Sequence, residues 1–251
     1  GSSGGAVTIP SRGKIHDIDI DGLGPAEDAD AIHVQSSYAG VFDLKIWRVS
    51  GRNVAKRVVK VQANGVDVRT VRGDTASLTT NAWSVVSHYG TSGAVRDVAG
   101  VGRWLRAVDV ELGALTVRDV ELDGHADASP SVVFESTAGG HNVGDIRAVG
   151  TAVSRIAYLR TALGEVGSLR VDKLRGTTQL ESVWIAMTGG NAADVTITDV
   201  EATTIGAYHN LRMTRSSSYP MGKLTLRDWT ARNAGYFDAL GLELVDSVIA
   251  S

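Results

Sequence analysis

The chain has 251 residues, of which 43% are hydrophobic and 21% charged, and its formal net charge is −3. The aliphatic content excludes a disordered chain, and the interspersed charges predict no nucleic-acid partner. The chain contains no cysteine, which excludes disulfides and thiolate metal sites. No apolar run approaches the roughly 18 residues of a transmembrane helix, so no membrane span is predicted.

Residues 1–14 precede the first repeat. Residues 1–5, Gly-Ser-Ser-Gly-Gly, are typical of an expression scar. The residues that follow, up to residue 14, form an extended lead-in that contains Pro10. This segment has neither the basic flank nor the apolar block of a signal peptide.

A six-residue pattern of apolar, polar, apolar, polar, polar and apolar residues then recurs about every 26 residues. Residues 115–120, Leu-Thr-Val-Arg-Asp-Val, are a clear copy. Other copies begin at residues 18, 44, 66, 169, 195 and 224, and weaker ones lie near residues 95 and 146. A second short apolar strand follows each copy, at residues 32–35, 59–62, 85–88, 108–111, 132–135, 157–160, 185–188, 211–214 and 240–243. Each repeat therefore contains at least two strands of period two.

This recurrence predicts an all-β fold, a parallel β-helix (solenoid) of about nine rungs whose neighbouring strands lie about 4.8 Å apart. An antiparallel sandwich is disfavoured because hairpin signals are missing, and the best helical segment, residues 154–163, falls where a strand is expected. Residues 15–251 are predicted to form this single domain. One inward column is predicted to contain Val34, Val61, Val110, Phe134, Leu159, Met187, Met213 and Leu242.

With this repeat, the chain resembles the right-handed parallel β-helix superfamily, which includes pectate lyases, other polysaccharide-cleaving enzymes and bacteriophage tailspikes. The resemblance covers about residues 15–247 and is greatest to tailspike or tail-fibre domains. It implies a right-handed solenoid, a polysaccharide partner, a homotrimer, and a location on the virion surface or outside the cell. Neither end carries the amphipathic helix that usually caps this fold, so we interpret the chain as a piece of a longer protein or a subunit capped by its neighbours.

The outward column that ends the second strands contains the candidate catalytic residues. His88, Glu111, Glu135 and Arg160 are predicted to stack there, and Asp109 is predicted to face the same way as Glu111. Two carboxylates about 5 Å apart suit a retaining glycosidase, as acid/base and nucleophile. The simpler interpretation is a solvated charge ladder, and a one-residue slip in register would scatter the cluster.

A second column, along the first strands, contains Asp119, Lys173, Asp199 and Asp228, and its mixed signs favour a structural charge ladder. Paired carboxylates and the resemblance to lyases raise Ca²⁺ as a cofactor. Ca²⁺ needs about six to eight oxygen ligands, however, and that number cannot be assembled, so no cofactor is predicted. The six histidines are scattered, and no metal site is predicted.

Three aromatic residues, Trp47, Trp184 and Tyr158, are predicted to face outward. An exposed indole or phenol ring offers a flat apolar face to a sugar, although a loop or a neighbouring subunit could equally cover it. Trp83, Trp104 and Trp229 are predicted to be core or corner residues instead.

Three functions are consistent with these features. The preferred hypothesis is a tailspike-type host-recognition domain that binds, or binds and cleaves, a cell-surface polysaccharide. The alternatives are a secreted polysaccharide lyase or glycoside hydrolase, and a structural shaft or adhesin segment without activity.

Overall fold

The computed structural model describes residues 12–23, 30–35, 41–111, 114–124, 132–136, 142–149, 153–161, 169–187, 195–205, 210–215 and 224–232. Within these ranges the chain is all-β and contains no helix. The strands are β1 (Arg12–Leu23), β2 (Asp30–Gln35), β3 (Val41–Val54), β4 (Arg57–Gln62), β5 (Asn64–Asp74), β6 (Ala82–His88), β7 (Ser92–Gly102), β8 (Trp104–Val110), β9 (Ala114–Gly124), β10 (Val132–Ser136), β11 (Asn142–Val149), β12 (Ala157–Thr161), β13 (Leu169–Thr178), β14 (Val183–Met187), β15 (Val195–Thr204), β16 (Leu211–Arg215) and β17 (Leu224–Arg232).

The strands form two long parallel sheets. The odd-numbered strands make a nine-stranded sheet and the even-numbered strands an eight-stranded sheet, and each strand pairs with the next but one in the chain. The chain therefore alternates between the sheets, which confirms the all-β class and is compatible with a β-helix. In the described part of the chain, no helix is long and apolar enough to cross a membrane.

The predicted repeats coincide with these strands. Every six-residue copy lies in an odd-numbered strand, and eight of the second strands coincide with even-numbered strands to within a few residues. The copies at residues 18 and 146 are placed in the wrong register, because Ile18 and Ile146 pair with the last residues of neighbouring copies, Val49 and Val120. The helical alternative at residues 154–163 is wrong, because β12 occupies its middle. The ninth second strand, residues 240–243, lies outside the described residues.

A left-handed residue in each odd-numbered strand explains why two polar positions stand together in the repeat. In the clearest copy, Asp119 has φ 57°, and the flanking Val117 and Val120 are both buried. Nine equivalent residues have φ between 51° and 57°: Asp17, Arg48, Thr70, Asp97, Asp119, Asp145, Lys173, Asp199 and Asp228. Aspartate predominates because its short polar side chain tolerates this conformation better than most L-residues. We call these nine residues the corner column.

The core consists mainly of aliphatic side chains that alternate with outward ones along both sheets. Trp104 and Trp229 are both buried in it, which confirms their predicted placement. A glycine makes room for the larger indole, since a Cβ at Gly73 would lie 2.6 Å from Cζ2 of Trp104. Burial of these side chains contributes about 25 cal/mol per Å² of apolar area to stability.

The predicted inward column is wrong at two strands. Strand pairing gives the column Val34, Val61, His88, Val110, Phe134, Leu159, Ile185 and Met213. Met187 pairs with Thr161 instead, because a two-residue slip keeps every side chain on its face and the apolar pattern cannot distinguish the two registers. The structure places His88 in this inward column. The sequence could not show this, because the consecutive apolar residues Val85 and Val86 do not indicate which alternate positions of β6 face inward.

Candidate functional site

The outward position just before the corner column forms a row across all nine odd-numbered strands. We call it the pre-corner column: His16, Trp47, Arg69, Arg96, Arg118, Gly144, Asp172, Thr198 and Arg227. Its members follow one another at about 4.8 Å, the spacing of parallel strands. The row places aromatic, cationic, acidic and hydroxyl groups along one straight line.

An aromatic stack begins the pre-corner column. The rings of His16 and Trp47 are stacked, with centroids 4.6 Å apart and planes 15° from parallel. The Arg69 guanidinium, on the next strand, lies 5.6 Å from the Trp47 centroid. Trp47 is half-buried and lies between these two neighbours along the column, so the expectation of a fully open indole is not met. Beside the stack, Arg48 and then His16 lower the pKa of Asp17 to about 2.

The middle of the column is a clamp that spans three strands. Arg118 Nη1 and Nη2 donate to the two carboxylate oxygens of Asp172 at 3.0 and 2.9 Å, passing over Gly144 on the strand between them. A Cβ at Gly144 would lie 1.8 Å from Asp172 Oδ1, so only glycine leaves space for the pair. Arg118 also donates to Asp145 Oδ2 at 3.1 Å, and the hydrogen bond to Asp172 is the main cause of the raised pKa of Arg118. The clamp therefore holds the Asp172 carboxylate in a defined orientation.

A polar groove of about 390 Å³ follows the clamp on the outer face of β13, β15 and β17. Its lining consists of hydroxyl and charged side chains above a buried valine: Arg170, Val171, Asp172, Thr196, Thr198, Thr225 and Arg227. The sequence pattern missed this groove, although Thr196 and Thr198 at alternate positions of β15, and Thr225 on β17, are the visible signal for it.

The corner column carries the mixed charges that were predicted as a ladder. Arg175 donates to the carboxylate of Asp199 and, at 2.6 Å, to its backbone carbonyl, while Lys173 lies 3.4 Å from Asp145. Asp199 and Asp228 occupy adjacent strands, but Asp199 is already paired. These contacts favour a structural role for this column.

The candidate Asp109 lies in a buried cluster on the even-numbered sheet. It is 2% exposed and accepts hydrogen bonds from Trp83 Nε1 at 2.8 Å, Arg106 Nη1 at 2.8 Å and the Tyr89 hydroxyl at 3.3 Å. Burial, and secondarily the charge of Asp109, raises the pKa of Tyr89. The Arg106 guanidinium also lies 4.5 Å from the Trp83 ring centroid. A carboxylate that is enclosed by three donors and almost completely buried is poorly placed to act on a polymer.

A second buried group adjoins the first. The Asp30 side chain is fully buried, with Arg57 Nη1 at 3.2 Å from Oδ1 and Lys60 Nζ at 3.6 Å from Oδ2. Arg57 Nε also donates to Ser87 Oγ at 3.1 Å. Sequence periodicity missed this cluster, because isolated charged residues in strands are ordinarily assigned to a solvated face.

His88 does not lie in the outward column, and that prediction is wrong. Its ring is fully buried in the inward column, where Nε2 donates to the carbonyl of Val66 at 3.1 Å and Nδ1 accepts from Gly90 N at 3.2 Å. Both contacts suit the neutral ring, and burial lowers the pKa of His88 to about 4. A Cβ at Gly90 would lie 1.9 Å from the carbonyl oxygen of Ala63, so glycine is required beside the ring.

The predicted pair of glutamates follows directly on two paired residues of neighbouring strands. Glu111 is exposed and directly follows Val110, which pairs with Phe134. Glu135 then occupies the next position of the neighbouring strand and pairs with Arg160. The side chains of Glu135 and Arg160 lie outside the described part of the structure, so their catalytic roles stay predictions.

The other predicted sugar platform, Trp184, is covered by its neighbours. The Arg155 and Arg212 guanidinium groups lie 4.8 and 4.6 Å from its ring centroid, and the Tyr158 ring centroid lies 4.8 Å away. Its Nε1 donates to Thr214 Oγ1 at 3.1 Å. This arrangement favours a packing role for Trp184 and Tyr158 over a binding platform.

No group of three or more histidine, aspartate or glutamate side chains within the described ranges is arranged to hold a metal ion. Comparisons with protein-family models, curated protein sequences and solved structures found no match to this chain. Its function is therefore inferred from its own residues.

Proposed function

We propose that the chain is a right-handed parallel β-helix of about nine rungs that binds a cell-surface polysaccharide along its flank. In this proposal it is the host-recognition domain of a tailspike-type homotrimer on a virion surface. The resemblance of its repeat to tailspike domains supports the assembly and the location. The groove on β13, β15 and β17 supports a polysaccharide as the ligand.

The groove carries the proposal because its chemistry complements sugar hydroxyl groups. Three threonine hydroxyls can both donate and accept, and the guanidinium groups of Arg170 and Arg227 donate. Asp172 accepts, and the Arg118 clamp orients it before a ligand arrives. Preorganised polar groups reduce the ordering cost of binding.

The groove also has the geometry that a linear polymer requires. It continues the pre-corner column, which runs straight across the strands, so a polysaccharide chain could follow the same line over several strands. Strand pairing holds the column at nearly constant spacing. A repeating polymer is therefore a better match than a compact small molecule.

Replacement of Thr198 by valine tests the proposal. The substitution removes one hydroxyl at nearly constant shape and is expected to weaken binding of a bacterial envelope polysaccharide by about two- to tenfold, the contribution of one hydrogen bond. Thr203→Val on the same strand is the matched control, since Thr203 lies outside the groove. Isothermal titration against a panel of envelope polysaccharides measures both variants. Absence of binding throughout the panel, or equal affinity of Thr198→Val and the parent protein, contradicts the proposal.

A second candidate activity is cleavage of the bound polysaccharide by Glu111 and Glu135. The observation that favours it is the pairing of Val110 with Phe134, the residues that directly precede Glu111 and Glu135. Neighbouring parallel strands lie about 4.8 Å apart, and retaining glycosidases use two carboxylates about 5 Å apart. Glu111→Gln and Glu135→Gln should each abolish release of reducing ends from a substrate. Turnover that persists in both variants rules out this activity.

A further inference from the structure

We infer that the polysaccharide is anionic, and that Arg69 and Arg96 of the pre-corner column bind its carboxylate or sulfate groups. This inference rests on the proposed function and specifies its ligand class. It is carried by the pairing of charges on the odd-numbered sheet, which leaves these two guanidinium groups outside the ion-pair network.

Three arginines in or beside this column are already paired with carboxylates. Arg48 pairs with Asp17, Arg72 lies 2.5 Å from Asp97, and Arg118 is clamped by Asp172. Arg69 and Arg96 are exposed and form no ion pair or hydrogen bond with any described residue. They are adjacent in register, so the backbone positions that carry these two unneutralised guanidinium groups lie about one strand spacing apart.

Neighbouring groups make this part of the surface more positive. Lys14 and Lys45 occupy paired outward positions two residues before His16 and Trp47, and both are exposed. Asp67 is the carboxylate at the corresponding position of β5, and Ala94 is neutral on β7. We call Lys14, Lys45, Arg69 and Arg96 the basic stripe. At these two outward positions of β1, β3, β5 and β7, the four cations are accompanied by one carboxylate, Asp67.

The geometry suits carboxylate or sulfate groups. A guanidinium presents parallel N–H donors that match two oxygens of one anion, and it is more weakly hydrated than the ammonium group of a lysine. Arg69 is further oriented by its contact with the Trp47 ring at 5.6 Å. Repeating acidic sugars could therefore place successive anions opposite successive strands.

The rest of the column favours a polysaccharide over a nucleic acid. Beyond Arg118 the row passes Asp172, which Arg118 already pairs, and enters the groove, whose three threonine hydroxyl groups complement the hydroxyl groups of a sugar. Trp47 lies between His16 and Arg69 along the column, so its ring does not offer the open face on which bases stack.

The experiment compares a polyuronate, the same polymer after reduction of its carboxyl groups, a sulfated polysaccharide and a single-stranded oligonucleotide. Affinities are measured by titration at about 0.05 and 0.5 M salt, since screening weakens exposed charge contacts. The acidic polymer that binds should do so at least about tenfold more tightly than the carboxyl-reduced one. The variant Arg69→Gln/Arg96→Gln should lose that advantage.

Arg52→Gln is the matched control, because Arg52 is equally exposed on β3 but lies 3.5 Å from Asp21 and away from the stripe. It removes one positive charge and should leave the affinity unchanged, and thermal unfolding verifies that each variant is folded. Equal binding of acidic and reduced polymers overturns the anionic inference while the polysaccharide proposal stands. Preferential binding of the oligonucleotide also overturns it. Failure of every polysaccharide to bind overturns both.

Discussion

The two sheets carry the same kinds of charged side chain in opposite environments. On the even-numbered sheet, Asp30 and Asp109 are almost completely buried beside their cations. On the odd-numbered sheet, the side chains of Arg72 and Asp97 are paired but about half exposed. Removing one partner of a buried pair leaves an uncompensated charge, whereas an exposed pair contributes little. The buried charges of the even-numbered sheet therefore have a structural role, whereas the exposed charges of the odd-numbered sheet are available to bind a ligand.

The largest expected effect comes from Asp109→Ala. The substitution leaves the Arg106 guanidinium without its carboxylate and removes the acceptor of Trp83 and Tyr89. We expect the free energy of unfolding to fall by about 3–5 kcal/mol, measured by urea denaturation. Glu121→Ala, which removes an exposed partner of Arg147, should cost less than about 1 kcal/mol. Similar losses in both variants would contradict the contrast between the sheets.

Trp184→Ala sharpens the comparison between the two outward tryptophans. Because Trp184 packs against Arg155, Arg212 and Tyr158, its truncation should lower the free energy of unfolding by about 2–3 kcal/mol and leave polysaccharide affinity unchanged. Trp47→Ala should instead weaken polysaccharide binding and change the free energy of unfolding less, since Trp47 adjoins the basic stripe. A loss of affinity in Trp184→Ala without loss of stability would restore Trp184 as a binding platform.

The buried histidine predicts a pH dependence of stability. The folded pKa of His88, about 4, lies below its ordinary value of 6.5, so the unfolded chain binds the extra proton between these values. The free energy of unfolding should therefore fall as the pH decreases through this window, by about 2 kcal/mol between pH 7.5 and 5. Denaturation of the parent protein and of His88→Leu at both pH values checks this. An equal pH dependence in the two proteins would exclude His88 as its source.

The smallest effect is a gain in stability at the corner column. Lys173 has φ 51°, a conformation that asparagine adopts more readily than lysine. Lys173→Asn should raise the free energy of unfolding by about 0.5 kcal/mol, with the loss of the exposed contact to Asp145 partly opposing the gain. Lys45 lies on the same sheet but does not have the left-handed conformation, so Lys45→Asn should not raise the free energy of unfolding. A lower stability of Lys173→Asn would show that the corner imposes no strain on lysine.

Local geometry could be read from the sequence because it repeats in the sequence. The Leu115–Val120 pattern predicted the odd-numbered strands, and the adjacent polar pair within it marks the left-handed corner at Asp119. The outward orientation of Trp47 and the burial of Trp104 followed from the same alternation. These properties depend on residues close together in the chain, so the alternation of polar and apolar residues along a strand is enough to predict them.

Contacts between neighbouring strands were decided only by the tertiary structure. The inward position of His88, the burial of Asp109 and the Arg118–Asp172 clamp over Gly144 all depend on which residues of distant segments lie side by side. Arg118 and Asp172 are 54 residues apart in the chain. A slip of one residue between strands would change these partners while leaving the composition of every strand unchanged. The sequence by itself thus determined the class of fold and the positions of most strands, whereas strand register determined which charges are paired, buried or open to a ligand.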